Sequence, residues 1–279
     1  MLPQAIGTAT VEEFMMARRA TGRIWRLDRA PVGRSFLVAA LAAAAVAAAG
    51  RPALAQSAGN GFLFGAPHTS FTVRTGYDFA SANSDVYSTV ISELTLNKGD
   101  FSSPTLATDL GFSLNPSVDL VLGAGYSRSA AQSQFRGWLD NNNLPVQQST
   151  SLTRIPLTVS LKAYLGPRGR SIGRLAWVPN PVAPYVGVGA GTMWYSFRQG
   201  GDFVDTTTTN VFSTVLESSG WTPAAQLFAG SDFAITPGTA FNVEARYEFA
   251  KGALSRDFVG FNRIDLSGVS LTAGLTFRF

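Results

Sequence analysis

Alternation of apolar and polar residues with a period of two constrains the fold of this chain more than any other feature. In the stretch 266–279 one set of alternate residues is apolar, and it comprises Val269, Leu271, Ala273, Leu275, Phe277 and Phe279. Because successive side chains of a β-strand point to opposite faces, this stretch predicts a strand with one apolar and one polar face. The same pattern, with varying clarity, predicts eight strands, at 69–79, 104–114, 118–128, 154–165, 183–198, 220–235, 241–249 and 266–279.

The segment 183–198 departs from regular alternation. It is rich in glycine, and its pattern changes register around Met193 and Trp194, which predicts a β-bulge. The G-V-G-A-G run at 187–191 superficially resembles a phosphate-binding loop, but no lysine and no helix follow it. Close packing inside the sheet is the better explanation.

The connections between the predicted strands alternate in length. Two are tight turns, at 115–117 and 236–239, whereas the long polar ones are 80–103, 129–150, 199–219 and 250–265. The strands exceed the ~5–6 residues of soluble sheets and suit a tilted membrane crossing of ~9–11 residues. We therefore expect an all-β fold, an eight-stranded antiparallel up-and-down transmembrane β-barrel over residues 69–279, with the long loops outside the cell. The inner connection 166–182 is an exception to the short turns, because it is long and carries Arg168, Arg170 and Arg174.

A soluble lipocalin-like barrel or β-sandwich is the alternative, since its strands would alternate as well. Its outer face would be charged, yet only 14% of this chain is charged, against roughly a quarter in typical soluble domains. Aromatic residues near the predicted strand ends fit the girdles of a membrane barrel, namely Tyr77, Tyr126, Tyr164, Tyr185, Trp194 and Trp221. These features favour the membrane barrel.

The N-terminal region has the pattern of a signal peptide. A basic stretch ends at Arg34, an apolar run occupies 36–49, and Ala53-Leu54-Ala55 precedes Gln56 as a small-x-small cleavage site. We expect cleavage after Ala55, a periplasmic lead-in at 56–68, and initiation at Met1, Met15 or Met16. A retained anchor helix is the alternative, although the apolar run is shorter than the ~20 residues of a spanning helix.

Removal of that segment changes the charge of the protein. Seven of the 22 basic and three of the 18 acidic residues lie in 1–55, so 15 of each remain. The remaining chain has no net positive charge to neutralise phosphates, which argues against a nucleic-acid partner. Cysteine is absent, so no disulfide and no thiolate ligand or nucleophile is available.

The strand number, the loop asymmetry and the ending LTAGLTFRF resemble the small outer-membrane β-barrel superfamily, the eight-stranded OmpW- and OmpA-like barrels. The stretch RIPLTVSLKAYLGPRGRSIGRLAWVPNPVAPYVGVGAG also looks like the "outer membrane protein beta-barrel" group, which has no assigned chemistry. This resemblance, over 69–279, implies location in the bacterial outer membrane, surrounded by its lipid. It also implies an assembly signal, read by the barrel assembly machinery, in Leu275, Phe277 and Phe279. For the OmpW group it implies a passive channel or carrier for small apolar solutes.

The predicted polar faces place five basic and five acidic residues inside the barrel. They are Arg74, Arg154, Lys162, Arg246 and Arg278, with Asp109, Asp119, Asp232, Glu244 and Glu248. Eight strands enclose a lumen just wide enough for side chains to fill. Because unpaired buried charge is costly, we expect a neutralised ion-pair network that fills the lumen. A polar transport path is the alternative.

Catalytic residues are hard to assemble from this sequence. Serine hydrolysis needs a base beside the nucleophile, and the single histidine, His68, precedes the first strand near the periplasmic rim. Asp202 and Asp205 are a candidate calcium pair, but their D-F-V-D spacing lacks the ligand density of a calcium loop. We expect no metal, no cofactor and no enzymatic activity.

The outer loops are the remaining candidates for function. Residues 132–147 place Phe135, Trp138 and Leu139 among polar neighbours, and 200–219 embed Phe203, Val204 and Phe212 in a threonine-rich segment. Exposed aromatics on loops bind partners or ligands, or they pack over the barrel mouth as a lid. Two hypotheses follow: a narrow channel or carrier for small solutes, or a structural, surface-interaction barrel with a sealed lumen and binding loops.

Overall fold

The computed structural model describes residues 61–139, 144–173, 175–204 and 211–279. Eight long strands dominate them: β1 Thr69–Ala80, β2 Ser103–Asn115, β3 Val118–Leu139, β4 Pro145–Tyr164, β5 Val182–Val204, β6 Val211–Thr236, β7 Thr239–Gly252 and β8 Gly268–Arg278. The helices are α1, Asp85–Glu93, and 3-10 turns at Lys98–Phe101 and Arg256–Phe258. Short strands lie at Leu63–Phe64, Gly169–Ile172, Ala176–Pro179 and Ile264–Asp265. Within the described part of the chain, every helix is too short or too polar to cross a membrane.

The eight strands form a closed ring in which each strand pairs antiparallel with its neighbours in sequence. Ring closure comes from β8, which pairs with β7 on one side and with β1 on the other, from Gly268 opposite Ala80 to Arg278 opposite Ser70. The predicted eight-stranded antiparallel barrel is confirmed. In a closed ring no strand keeps a free edge at the height of the pairing, so every strand there has a ladder on both sides.

The register around the ring is staggered. A path around the ring, from each residue to its paired neighbour, leaves β1 at Ser70 and returns to β1 at Ala80, ten residues further along. The path passes through Gly111, Val121, Ser160, Gly189, Gln226, Glu248 and Gly268. A stagger of this kind requires strands tilted by ~35–45° to the barrel axis. The lumen of such a barrel is just wide enough for side chains to fill.

The polarity of the barrel is inverted relative to a soluble protein. Large apolar side chains cover the outer face of the ring, among them Leu122, Val159, Val188, Leu227, Phe241, Val243, Phe249, Leu271 and Leu275. The inner face buries Ser, Thr, Gln and charged residues instead. From Val182 to Trp194 on β5 the outward residues rise about 30 Å at a tilt of ~40°, which matches the ~30 Å hydrocarbon layer of a bilayer.

Aromatic and polar layers mark the upper limit of this apolar belt. Trp194 on β5 lies directly opposite Trp221 on β6, and the next outward layer is polar on four adjacent strands: Arg128, Thr153, Ser196 and Ser219. Such a change from Trp to polar residues is typical of a membrane–water interface.

Two of the predicted outer loops are wrong for most of their length. In 129–150, β3 continues to Leu139 and β4 begins at Pro145. In 199–219, β5 continues to Val204 and β6 begins at Val211. Above the apolar belt the outward face of these strands meets water, and the inward face mixes apolar residues, such as Phe197 and Leu216, with buried polar residues, such as Gln148. The strands therefore stay paired without the regular alternation that predicts a strand. β3 to β6 thus form a four-stranded sheet that rises above the belt, here called the extension.

The predicted β-bulge at Met193 and Trp194 is also wrong. The register of β5 with β4 and β6 runs through both residues without a shift. The inward residues change from Gly187, Gly189 and Gly191 to large apolar side chains. Because of this change, apolar residues occur on both faces of the strand, and the sequence pattern resembles a shift of register.

The two ends of the barrel differ. The turn end carries Pro116–Ser117, Pro237–Gly238 and the 165–181 connection, whose short strands pair with each other and with Leu63–Phe64. The loop end carries the extension, α1 and the 253–267 connection. The predicted signal peptide, with Ala53, Ala55 and Gln56, and the first part of the predicted lead-in lie outside the described residues and remain predictions.

Candidate functional site

An ion cluster centred on Glu244 occupies the middle of the lumen. Its Oε2 accepts hydrogen bonds from Arg74 Nη1 (3.0 Å) and from the Tyr185 hydroxyl (2.9 Å), and its Oε1 accepts from Arg246 Nε (3.0 Å) and Nη2 (2.8 Å). Asp109 Oδ2 lies 2.5 Å from Arg74 Nη2 and 3.5 Å from Arg246 Nη2. All five side chains are buried. Each charge therefore has an opposite charge beside it, which low-dielectric surroundings require.

A second cluster lies nearer the turn end, around Asp232, which is fully buried. Its Oδ2 is 3.4 Å from Lys162 Nζ and 3.5 Å from Arg278 Nη2, and it accepts a hydrogen bond from the Tyr164 hydroxyl (3.2 Å). Asn242 Nδ2 donates to its other oxygen at 2.6 Å and to the Tyr185 hydroxyl at 2.8 Å. Through Tyr185 the two clusters form one continuous network.

The turn end of the lumen is closed by Arg168, which reaches in from the 165–181 connection. Its Nη1 contacts both oxygens of Asp119 (2.9 and 3.1 Å), its Nη2 donates to Ser113 Oγ and to the Asn115 carbonyl, and its Nε donates to the Pro116 carbonyl. The guanidinium therefore holds the long connection against the tight β2–β3 turn.

At the other end of the network, Arg154 pairs with Asp78 at 3.1 Å and donates to the Leu266 carbonyl at 3.2 Å. Glu248 also points into the lumen, half-buried, and lines a small cavity with Asp78 and Arg246. Among the described residues Glu248 has no hydrogen bond and no ion-pair partner within 4 Å. Of the ten lumen residues named from the sequence, nine thus lie in ion pairs and Glu248 does not.

The lumen residues named from the sequence omit several members of this network, among them two charged residues and two tyrosines. Asp78 has the same parity as Arg74 on β1, so alternation alone would have placed it in the lumen. Arg168 lies on a connection, where alternation carries no information. Tyr164 and Tyr185 were assigned to an aromatic girdle, which is wrong, because both are buried inside the barrel and bond to carboxylates. With Asp78 and Arg168 included, the described lumen contains six basic and six acidic side chains.

The free space inside the network is small. The cavities between the lumen side chains measure about 20, 10 and 10 Å³, and about 10–15 Å³ is needed to hold one water molecule. A larger cavity of about 530 Å³ lies outside the lumen at the turn end, between Pro67, the β2–β3 turn and the 165–171 stretch. Each of the three lumen cavities therefore has room for about one water and is too small for a solute.

An apolar plug closes the lumen at the loop end. It combines inward residues of β4 to β7 with residues of the 81–102 and 253–267 connections: Ala82, Val86, Tyr87, Val90, Leu94, Leu96, Phe101, Leu152, Met193, Tyr195, Phe197, Leu216, Ala224, Ala250, Phe258, Ile264 and Leu266. Tyr87, Phe197 and Phe258 form its aromatic centre, with ring centroids 6.0 and 5.4 Å apart. An interior of this kind is dry and dense.

Helix α1 supplies much of the plug because its apolar residues share one face. Val86 and Tyr87 lie four and three residues before Val90, Leu94 follows Val90 by four at the C-cap, and all four are buried. Asp85 holds the helix start, since its Oδ2 accepts from the backbone N–H and the side-chain amide of Asn262 at 2.9 and 2.8 Å. The Tyr87 hydroxyl is buried without a partner among the described residues, and this burial raises the pKa of Tyr87 well above its ordinary value.

The remaining candidate residues lie apart from the lumen. His68 is exposed at the turn end, where its backbone N–H donates to the Phe279 carbonyl at 2.8 Å. Asp202 lies on the extension and accepts a hydrogen bond from Ser213 Oγ, whereas Asp205 is outside the described residues. Leu275 and Phe277 face outward in the apolar belt, and the Phe279 N–H donates to the Thr69 carbonyl at 2.9 Å. No group of acidic or histidine side chains within the described ranges is arranged to hold a metal ion.

Comparison with known proteins finds similarity in solved structures only. No family model matches the chain, and no curated protein sequence does. Neisserial surface protein A is 13% identical with a TM-score of 0.41, and the match covers 79% of this chain and 98% of that one. OprG from Pseudomonas aeruginosa (15%, TM-score 0.38) and the E. coli outer membrane protein W (15%, TM-score 0.34) each match over 77% of this chain and 98% of their own. These are small outer-membrane barrels, the group that the sequence resembled, but at such TM-scores the assignment of the fold rests on the strand pairing described above.

Proposed function

We propose that this chain is an outer-membrane β-barrel with a sealed lumen, and that it acts through its loop end as a structural or surface-interaction protein. The observation that carries the proposal is the filling of the interior by two layers in series. The lower layer is the ion network, in a described lumen with six basic and six acidic side chains, and the upper layer is the apolar plug. Between them they leave space for single waters.

The apolar belt supports location in a membrane. An exposed apolar surface that encircles a closed barrel is stable only when lipid covers it. The turn end would face the periplasm and the loop end the exterior, as the predicted signal peptide and the loop lengths suggest. The proposed partners are outer-membrane lipid and, for Leu275, Phe277 and Phe279, the barrel assembly machinery.

A narrow channel or carrier is the other hypothesis. For a solute to pass, both the network and the plug would have to move, because neither leaves a solute-sized path. An enzymatic role is not part of the proposal, since the single histidine lies at the turn end, away from the extension.

Single-channel recording in planar bilayers tests the sealed lumen. We expect the wild-type barrel to be silent. Two variants each weaken one layer. Tyr87→Ala with Phe197→Ala removes two aromatic rings from the centre of the plug, and Arg74→Ala with Glu244→Ala removes one basic and one acidic side chain from the lumen. Each should remain silent alone, and only their combination should conduct.

Discrete conductance steps from the wild type would contradict the proposal and favour the channel. Conductance from either variant alone would contradict the two-layer seal. A porin added afterwards to each silent bilayer verifies that the recording detects open channels, and heat-shifted gel mobility verifies that each variant is folded.

A further inference from the structure

The extension leaves one edge of the sheet open at the loop end. β7 pairs with β6 only as far as Ala250 opposite Ala224, so the part of β6 above Ala224 has β5 on one side and no strand on the other among the described residues. The segment Val211–Leu216 belongs to this part. It contains no charged residue and no proline.

The direction of the backbone groups along this edge can be read from Glu217. Its N–H donates to Asp257 Oδ2 at 3.1 Å, and its carbonyl accepts from Ser255 Oγ at 2.6 Å, so both groups point away from β5. Because backbone groups alternate sides along an antiparallel strand, Val215, Ser213 and Val211 point the same way. The backbone N–H and C=O groups of Val215, Ser213 and Val211 have no partner among the described residues.

The opposite edge of the extension, on β3, is covered. Gln134 accepts from the Thr95 N–H at 3.0 Å, and its own N–H donates to Thr95 Oγ1 at 2.9 Å. Arg136 Nε donates to the Leu94 carbonyl at 2.9 Å. Sheet proteins commonly protect edges by covers or by charged residues. β3 has both protections, whereas Val211, Ser213 and Val215 carry no charge and their outward backbone groups meet no cover among the described residues.

We infer that the open edge of β6 at Val211–Val215 is a docking site for an extended peptide segment of another protein, which would add to the sheet as a further strand. Alternating N–H and C=O groups along one line are complementary to another extended backbone. Side chains of the added strand would flank Phe212 on one face of the sheet and Val215 on the other; both are more than a third exposed. The matching segment is therefore uncharged in its centre and rich in apolar or β-branched residues.

A second copy of this chain does not fit the same edge. Two barrels in one membrane share their orientation, so a two-fold axis along the membrane normal would place their β6 strands parallel. A parallel ladder is staggered and is not self-complementary about such an axis. Pairing of β6 with β3 of a neighbour would meet the covered edge. This inference depends on the proposed outward orientation of the loop end.

Amide hydrogen exchange, measured by NMR on the full-length folded barrel in nanodiscs, tests the inference. The probe is an eight-residue peptide of alternating threonine and valine with a lysine at each end. Its control is the same peptide N-methylated at every threonine and valine, so that neither edge can donate to β6. Only the unmodified peptide should slow exchange at Val211, Ser213 and Val215, by about tenfold or more. Exchange of the Phe212 and Leu216 amides, whose N–H groups point toward β5, should change little.

Val215→Pro removes an edge N–H without removing a bond to β5, and it should abolish protection. Val215→Thr keeps the strand and should retain it. Absence of protection in the wild type, equal protection by the N-methylated peptide, or equal protection in Val215→Pro would each overturn the inference. Protection of these amides in the free protein at rising concentration would also overturn it, in favour of self-association.

The two proposals fail separately. If the peptide gives no protection and the bilayers stay silent, the docking proposal is contradicted and the sealed-lumen proposal stands. Conductance steps together with normal peptide protection remove the sealed lumen and leave the docking edge.

Discussion

Replacement of Glu244 by glutamine is the most informative perturbation of the lumen. The carboxylate accepts hydrogen bonds from Arg74, Arg246 and Tyr185, with distances between 2.8 and 3.0 Å, and it is 2% exposed. Glutamine keeps the size of the side chain and one acceptor oxygen. Its amide removes the charge, and its NH2 group, which donates and does not accept, must face either Arg246 or Arg74.

The expected loss in the free energy of unfolding follows from the ion pairs that remain in Glu244→Gln. Without the Glu244 charge, Arg74 and Arg246 share Asp109 alone, so the described lumen gains one unpaired positive charge. Removal of one partner from a buried ion pair costs about 3–5 kcal/mol. Because Tyr185 and Asn242 stay paired with each other, we expect the lower end, ~3 kcal/mol, or roughly a hundredfold change in the unfolding equilibrium.

Urea unfolding in lipid vesicles, followed by tryptophan fluorescence, measures this cost. Glu93→Gln, at an exposed position on α1, is the matched control and should change stability by less than ~0.5 kcal/mol. Addition of Arg74→Met to Glu244→Gln restores neutrality, so the double variant should be more stable than the sum of the singles by about 1–3 kcal/mol. Equal stability of Glu244→Gln and wild type, or additive costs in the double variant, would refute the paired network.

Three further predictions concern the plug, the belt and the lumen wall. Tyr87→Phe removes a buried hydroxyl without a partner, so it should stabilise the barrel by about 1 kcal/mol at pH 8 in urea unfolding. Because the folded-state pKa of Tyr87 is raised, the wild type should also lose stability as pH rises past ~10, and Tyr87→Phe should lose less. Phe277→Ala should reduce insertion into the outer membrane, measured by fractionation, more than Phe241→Ala, which removes the same lipid-facing ring from β7; equal loss argues against an assembly signal. Gly252→Ala would place a methyl group 2.5 Å from a buried tyrosine ring and should cost ~1–3 kcal/mol, whereas Gly166→Ala meets no atom within 4 Å and should cost little.

The architecture within the membrane could be predicted because one rule governs it. Lipid demands an apolar outer face, and the strand period of two then sends every intervening residue inward. This rule was sufficient to place Arg74, Lys162 and Glu244 in the lumen. It fails for Arg168, which enters the lumen from a connection whose course depends on tertiary contacts.

The architecture above the membrane could not be predicted in the same way. Where both faces of a strand are polar, as at 132–134 of β3, alternation disappears while the hydrogen-bonded ladder continues. The plug has the opposite problem. Its apolar residues on β5, such as Tyr195 and Phe197, face inward, so a reading that assigns apolar residues to lipid places them on the wrong side. In both cases the sequence pattern reports the solvent on each face, and the pattern is informative only where the two faces meet different solvents.

Under the proposed function, the two layers inside the barrel would exclude different solutes, which would account for their occurrence in series. A lumen of charged and hydroxyl groups would by itself offer partners to water and ions as they pass. An apolar mouth alone would be a favourable environment for apolar solutes. Placed one above the other, each layer rejects the solutes that the other tolerates, since an ion loses its hydration in the plug and an apolar solute displaces paired charges in the network. Arg154 joins the layers, because it pairs with Asp78 below and bonds to the Leu266 carbonyl of the plug above. Under the proposed function, a barrel built in this way would act as a support, and the unpaired backbone of the extension would be the part of the described molecule offered to a partner.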